Sequence, residues 1–172
     1  SKFDSAFDAS GEPHFEEALT EQEQHGLSLF LGEPAESGVA FKCSACHTSV
    51  AMVAEDVQNI GLVNLGDEGA GGGKFKVPSL RNVGTRTFFM HDGRFDSLRE
   101  VIRHYSTDIQ NDPNLSFGLL TEDGTPLQPN YTRTEENALI AFLHTLTDET
   151  FLSARLFRDP FKRESKRGRD GR

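Results

Sequence analysis

Cysteine is scarce in this 172-residue sequence, and its placement excludes one class of small protein. The only two cysteines, Cys43 and Cys46, lie within four residues of each other. A disulfide framework needs cysteines that are spread along the chain, so such a scaffold is excluded. All of the cysteine chemistry is therefore confined to one short segment.

Long apolar runs are also missing, which argues against a membrane-embedded protein. No run approaches the roughly 18 apolar residues that a membrane span needs. Apolar residues make up 35% of the chain and charged residues 26%, and 172 residues favour a single globular domain with a substantial core. Residues 1–4 show no basic region that leads into an apolar stretch, so no signal peptide is expected within this chain.

Basic residues are few outside the C-terminal end. The net charge is −9, yet residues 158–172 contain seven Lys or Arg and three acidic residues, so the rest of the chain carries −13. An acidic body argues against nucleic acid as a partner, because phosphate binding needs a basic face. Residues 153–172 are expected to form a solvated basic tail, with docking to an acidic partner as the alternative.

The segment 43–47 has the sequence Cys-Ser-Ala-Cys-His, and this pattern predicts covalent haem attachment. Two thiols on one helical turn reach the two vinyl groups of a porphyrin, and His47 then binds the iron. A redox-active pair would need a strand–helix setting of the thioredoxin type, which does not surround this motif. A structural zinc site would need two further ligands at suitable spacing, which the sequence does not provide. We therefore expect one covalently bound haem c.

Two helices are predicted to frame this motif. Thr20 and Glu23 form a capping-box pattern, which predicts a helix that ends near Gly32. Thr132 opens a second helix whose leucines recur at helical spacing, namely Leu139, Leu143 and Leu146. Small Gly26 is expected to let the two helices cross closely, with Phe142 filling the contact. The predicted fold is all-α, a class I cytochrome c-like helical domain with long loops at 20–152 that follows an N-terminal arm at 1–19.

Three runs in the middle of the chain resemble one protein family. They are FKVPSLRNV at 75–83, FMHDGRF at 89–95 and SLREVIRHY at 97–105. They resemble the C-terminal haem domain of the bacterial dihaem cytochrome c peroxidase and MauG family. Residues 1–4 resemble the link that enters that domain, and residues 141–148 resemble the close of its last helix. The likeness covers roughly residues 1–152.

The resemblance implies a function and raises one discrepancy. Family members normally carry two haem domains, whereas this chain has a single attachment motif. In the peroxidases, hydrogen peroxide is cleaved at the N-terminal haem and the C-terminal haem supplies an electron. The expectation is therefore an electron-transfer haem domain of a peroxidase-like oxidoreductase that works with a redox partner protein or a second haem domain. The alternative is a stand-alone, single-haem electron carrier with Met90 as distal ligand.

The second axial ligand decides what such a haem can do. The candidates are Met52, Met90, His91, His104 and Tyr105. Met52 is expected on the proximal helix, facing away from the distal pocket, whereas Met90 belongs to a loop that can cover the haem. The resemblance places the ligand just after the helix at 97–105, where peroxidases have methionine and MauG-like proteins have tyrosine. This implies ligation of the iron by Tyr105, and the competing interpretation is an aromatic residue that packs at a helix end.

Three further residues are expected to lie near the haem. His91 matches the family's His-x-Gly element and is expected to hydrogen-bond near the haem, so His91 and Tyr105 are the candidate catalytic residues. Arg81 is expected to neutralise a haem propionate, and Pro78 to set a loop on the haem face. The family binds calcium between its two domains through carbonyls of a Thr-x-Pro, which here reads Thr-Arg-Thr at 85–87, so calcium is possible but is not favoured without the second domain. His14, His25 and His144 are expected on the surface, and a haem attached through both cysteines implies a periplasmic protein.

Overall fold

The computed structural model describes residues 1–62 and 69–157, and helices supply most of its regular structure. The α-helices are α1 (Phe15–Ala18), α2 (Glu21–Leu31), α3 (Leu98–Arg103), α4 (Arg133–Thr145) and α5 (Glu149–Ser153). Short 3-10 turns occur at Asp4–Ala6, Cys43–Ala45, Val83–Thr85, Phe117–Leu119 and Arg155–Phe157. Within the described ranges no helix is long and apolar enough to cross a membrane. The tail predicted at 153–172 lies outside the described residues from residue 158 onward.

The first framing helix begins and ends where the sequence predicts. The Thr20 hydroxyl accepts a hydrogen bond from the Glu23 amide at 3.3 Å, and the Glu23 carboxylate accepts one from the Thr20 amide at 2.7 Å. Helix α2 ends at Leu31 and is capped by Gly32, whose φ of 105° is left-handed and favours glycine. The capping box and the glycine stop are therefore confirmed.

The second framing helix follows the same local rule. Thr132 caps α4 through a reciprocal pair of hydrogen bonds with Glu135, and α4 then continues to Thr145. Its apolar stripe faces inward, and Phe142 is completely buried. The predicted helix and its inward-facing leucines are confirmed.

The α2–α4 crossing depends on the absence of a side chain at Gly26. A Cβ atom there would lie 2.0 Å from the carbonyl oxygen of Ala138 and 2.8 Å from the Cβ of Phe142. The rings of Phe30 and Phe142 fill the adjacent space, with centroids 5.0 Å apart. The predicted close approach at Gly26 is confirmed, and this crossing forms the centre of the core.

The all-α prediction needs one correction, because the fold contains a two-stranded sheet. Strand β1 (Val57–Gln58) pairs antiparallel with β2 (Phe75–Lys76), so that Val57 lies opposite Lys76 and Gln58 opposite Phe75. Glycines with positive φ at residues 69–73 reverse the chain direction just before β2. The strands are too short for an alternating pattern to show in the sequence.

The segment predicted as an N-terminal arm packs against the helical pair. The Phe3 amide donates a hydrogen bond to the Thr145 carbonyl at 3.0 Å, which ties the arm to the end of α4. The Phe3 ring lies 5.8 Å from each of Phe15 and Phe142 and is buried. Residues 1–19 thus contribute side chains to the same core as residues 20–152.

Candidate cofactor site

An apolar cavity of about 350 Å³ opens beside the cysteine motif. Its wall combines side chains from α3 and α4 with the segments around residues 41–47, 75–80, 86–91 and 116–119. This volume lies within the range of small-molecule and cofactor sites, which are concave and mostly apolar. The cavity is therefore the structural setting for the predicted chemistry.

The cysteine motif forms one wall of this cavity. Residues Cys43–Ala45 make a single 3-10 turn, and the amides of Cys46 and His47 both donate to the Cys43 carbonyl, at 3.2 and 3.0 Å. Cys43, Cys46 and His47 all line the cavity, so the predicted arrangement on one turn is confirmed. Burial raises the pKa of the Cys43 thiol to about 12 and also raises that of Cys46. Redox-active cysteine pairs have a lowered pKa, so this environment does not suit thiol–disulfide exchange.

The imidazole of His47 is held in one orientation by backbone carbonyls. Its Nδ1 lies 3.2 Å from the carbonyl oxygen of Met52, and because a carbonyl oxygen only accepts, Nδ1 carries the proton in this contact. Burial lowers the pKa of His47, although hydrogen bonding to the carbonyls of Met52 and Pro78 acts in the opposite direction. A neutral imidazole that donates one ring N–H to a backbone carbonyl is the form in which histidine binds a metal through its other nitrogen.

The segment after the motif is a turn, which corrects the prediction of a proximal helix there. Ser49 and Met52 have φ values of 63° and 51°, and a right-handed helix does not accommodate these values. The Met52 side chain is buried in the core and does not line the cavity. Met52 therefore contributes its backbone carbonyl to the site rather than its sulfur.

Tyr105 lies on the cavity wall beside the motif. Helix α3 starts with a capping box between Ser97 and Glu100 and continues into a π-helical segment, His104–Asp108, which contains Tyr105. Burial, together with the nearby thiols of Cys43 and Cys46, raises the pKa of Tyr105. Single π-helical turns are rare and frequently occur at functional sites.

Met90 and His91 also line the cavity. Met90 has a φ of 67°, an uncommon conformation for a residue with a side chain. The His91 ring stacks on Phe75 of β2, with centroids 3.7 Å apart and ring planes at 11°. The loop therefore brings a sulfur and an imidazole to the same cavity as Tyr105.

The side chain of His104 does not face the cavity. Its side chain is 3% exposed and is not part of the cavity wall, and its Nε2 lies 2.8 Å from the carbonyl oxygen of Ile60. Burial lowers its pKa, which favours the neutral imidazole. His104 thus anchors the π-helical segment to residue 60 and does not face the cavity. His14, His25 and His144 are exposed, as the sequence predicts.

Arg81 was predicted to neutralise a haem propionate, but its side chain binds other groups outside the cavity wall. Its guanidinium binds the Asp4 carboxylate and the Val50 carbonyl, and it does not line the cavity. The neighbouring Arg86, which no sequence pattern singles out, does line it. Pro78 lies on the cavity wall as expected, and its carbonyl is one of the two that bond His47.

Tyr131 is a cavity residue that sequence reasoning missed. It is 9% exposed and lines the cavity, so both tyrosines of the chain border this one cavity. Burial raises its pKa, and the nearby Cys43 and Glu135 add to this effect. Its position just before the N-cap Thr132 predicts packing on the helix, but nothing in that position indicates a cavity.

Comparison with known proteins identifies relatives of this chain, although no family model matches it. The methylamine utilization protein MauG of Methylorubrum extorquens is 31% identical over 144 residues, which cover 78% of this chain and 37% of the relative. MauG of Paracoccus denitrificans is 30% identical over 151 residues, which cover 78% and 36%. The cytochrome-c peroxidase IdrP2 of a Pseudomonas species is 24% identical over 173 residues, which cover 78% and 42%.

The solved structures that resemble this chain are proteins of the same kinds. A MauG-like protein associated with microbial copper homeostasis is 33% identical, with a TM-score of 0.62 over 83% of this chain and 48% of the other. The dihaem peroxidase BthA of Burkholderia thailandensis has the same fold, with 24% identity and a TM-score of 0.59 over 88% and 47%. The chain spans less than half the length of each of these proteins.

Proposed function

Because the chain belongs to the bacterial dihaem cytochrome c peroxidase and MauG family and corresponds to its C-terminal haem domain, we propose that it is the haem c electron-transfer domain of a peroxidase-like oxidoreductase. The observation that carries the proposal is that Cys43, Cys46, His47 and Tyr105 all line the same cavity. Such a domain works with a second haem domain or a redox partner protein and with hydrogen peroxide as oxidant. Covalent haem attachment implies a periplasmic location.

The residues present fit a covalently attached haem. Cys43 and Cys46 present two thiols from one turn, and His47 presents a neutral imidazole whose Nδ1 is already bonded. The surrounding wall is mainly apolar, as a porphyrin requires. When bound, the haem supplies one-electron exchange at its iron. The protein's own contribution is to hold the proximal ligand, exclude water and set the polarity of the cavity.

We propose Tyr105 as the second protein residue that would bind the haem iron. Its place in the π-helical segment and on the cavity wall supports this role, as does the position of the ligand in MauG-like relatives. Because burial raises its pKa, the Tyr105 phenol stays protonated unless a nearby cation compensates the phenolate charge. The alternative ligand is Met90, which lines the same cavity and suits a simple electron carrier.

His91 is the proposed acid–base group on this cavity. Proton transfer to or from peroxide oxygens needs a positioned titratable side chain. Two histidines near the motif are candidates: His104 is bonded to the carbonyl of Ile60 outside the cavity, whereas His91 lines it. Where peroxide reacts at this haem rather than at a second haem domain, His91 is the side chain proposed to transfer the proton.

The ferric absorption spectrum, recorded before and after addition of hydrogen peroxide, tests this assignment. We expect no long-wavelength methionine-to-iron band, and a prompt spectral change with peroxide. Tyr105→Phe should alter the ferric spectrum because it removes the ligand oxygen, whereas Met90→Leu should leave the spectrum unchanged. Tyr131→Phe is the matched control, since it removes a hydroxyl from the same wall. A methionine band that disappears in Met90→Leu, with no peroxide response, would instead establish the single-haem electron carrier.

A further inference from the structure

The guanidinium of Arg81 joins two parts of the chain that are distant in sequence. Its Nη1 and Nη2 bind the two carboxylate oxygens of Asp4 at 3.0 and 2.8 Å. Its Nε and Nη2 donate to the carbonyl oxygen of Val50 at 2.8 and 2.6 Å. A forked, charge-assisted contact of this kind fixes geometry as well as adding energy.

Asp4 is suited to hold this guanidinium. Burial acts to raise the pKa of Asp4, but hydrogen bonds from Ser1 and Arg81 outweigh it and lower the pKa to about 2. The carboxylate is therefore ionised throughout the neutral range. The Phe3 ring, which is part of the core, lies 5.9 Å from the guanidinium carbon. One end of the Arg81 contact is thus attached to the packed core rather than to a free surface loop.

The other end lies on the turn that follows the haem-attachment motif. Three consecutive residues, Ser79 to Arg81, bind three consecutive carbonyls of this turn, those of residues 50–52. The Ser79 hydroxyl donates to Ala51, the Leu80 amide to Met52 at 3.2 Å, and Arg81 to Val50. The turn contains two residues with positive φ, Ser49 and Met52, and such strained backbone persists only where the surroundings hold it.

The last carbonyl of this set also orients the proximal imidazole. The Met52 oxygen accepts from the Leu80 amide and lies 3.2 Å from His47 Nδ1. A continuous series of contacts therefore runs from Asp4 through Arg81 and the turn at 49–52 to His47. A hydrogen bond from Nδ1 of a metal-bound histidine raises the basicity of the ligand and tunes the metal.

We propose that Asp4 and Arg81 form a positioning pair that fixes the turn at 49–52, and thereby the His47–Met52 hydrogen bond and the reduction potential of the haem. This inference rests on the proposed haem function. Loss of the pair lets the turn relax, so the Met52 carbonyl no longer holds Nδ1 and His47 donates less electron density. A less basic ligand stabilises the ferrous state relative to the ferric state, so the potential rises. Arg81 acts through His47 and does not contact the haem.

The experiment compares the reduction potentials of holoprotein variants by spectroelectrochemistry. Arg81→Gln should shift the potential upward and speed hydrogen exchange of the His47 Nδ1 proton, followed as a hyperfine-shifted NMR signal. Arg81→Lys should shift the potential less than Arg81→Gln does, because a single ammonium group still binds one of the two partners. Arg133→Gln is the matched control, since it removes a positive charge that is paired with Glu136 away from the turn.

The Asp4 and double variants test the positioning pair, and the unsubstituted chain tests the proposed haem function. Asp4→Asn should shift the potential in the same direction, and the double variant Asp4→Asn/Arg81→Gln should shift it no further than Arg81→Gln, because both act through one contact. Equal potentials and equal Nδ1 exchange in Arg81→Gln and Arg133→Gln would overturn the positioning role. If Arg81→Gln yields no holoprotein, Arg81→Lys and Asp4→Asn carry the test. An unsubstituted chain without covalent haem would contradict the proposed function itself.

Discussion

Replacing Cys43 and Cys46 together by serine is expected to leave no haem on the denatured chain. Both thiols line the cavity from one turn, so both are placed to form the bonds that survive unfolding. The unsubstituted protein should retain one haem per chain after denaturation, and the double variant none. Haem staining of the denatured chain and a pyridine haemochrome assay provide the measurement. His47 remains in the variant and can still bind haem reversibly in the folded state.

Ser44→Ala provides the matched control for this experiment. Ser44 lies on the same turn between the two cysteines, and its hydroxyl has no hydrogen-bond partner among the described residues. Its loss should therefore leave attachment at the level of the unsubstituted chain. Each single cysteine variant should retain one covalent bond and hence some stain. Full staining of the double variant would show that the motif does not attach the haem.

Gly26→Ala is expected to destabilise the fold severely, although it adds only one methyl group. The new Cβ would overlap the Ala138 carbonyl at 2.0 Å, and two packed helices cannot separate there without opening the core around Phe142. Overpacking at a rigid backbone contact should cost about 3 kcal/mol or more. For a chain of this size that corresponds to a decrease in Tm of roughly 10 °C.

Urea and thermal unfolding, followed by circular dichroism, measure this effect. Gly118→Ala is the control, because a Cβ at Gly118 meets no atom within 4 Å. Although Gly118 borders the cavity, the added methyl group meets no protein atom, so the free energy of unfolding should stay within about 0.5 kcal/mol of that of the unsubstituted chain. Equal unfolding midpoints for the two variants would mean that the close α2–α4 contact does not support the fold.

The helices were predictable because their signals are local. Thr20, Ser97 and Thr132 each form a reciprocal capping box with a glutamate three residues later, and each caps a helix in the structure. Such hydrogen bonds depend on a few neighbouring residues and little on the rest of the fold. The cysteine motif is equally local, and its single turn follows from the same few residues.

The features that were missed depend on contacts between distant segments. The side chain of Arg81 bonds Asp4, 77 residues away, and Val50, 31 residues away, and nothing in its own sequence context indicates either partner. Tyr131 reaches the cavity because α4 packs there, and the β1–β2 pair involves only two residues in each strand. Tertiary contacts of this kind override the local pattern.

Many of the residues of the candidate site were predicted from the sequence, but the choice of the second iron ligand was not settled by it. The cavity brings together seven residues that the sequence had indicated, namely Cys43, Cys46, His47, Pro78, Met90, His91 and Tyr105. For the residues after His47, the resemblance to the family supplied the prediction, since spacing alone does not show that such residues meet. The choice of axial ligand stays a prediction, because Met90 and Tyr105 share the wall.

The α2–α4 crossing has a consequence for the order in which the protein folds. The carboxylate of Glu135 at the start of α4 binds the amide of Glu36, which is 99 residues away, so the two helices meet only after a very long loop closes. Closure of such a loop costs chain entropy before the contacts of the crossing repay it, and high contact order slows folding. The cysteine turn and most of the cavity wall belong to the enclosed loop. The newly made chain should therefore pass through a slow stage in which Cys43 and Cys46 are exposed, and haem attachment during that stage would itself shorten the search for the native fold.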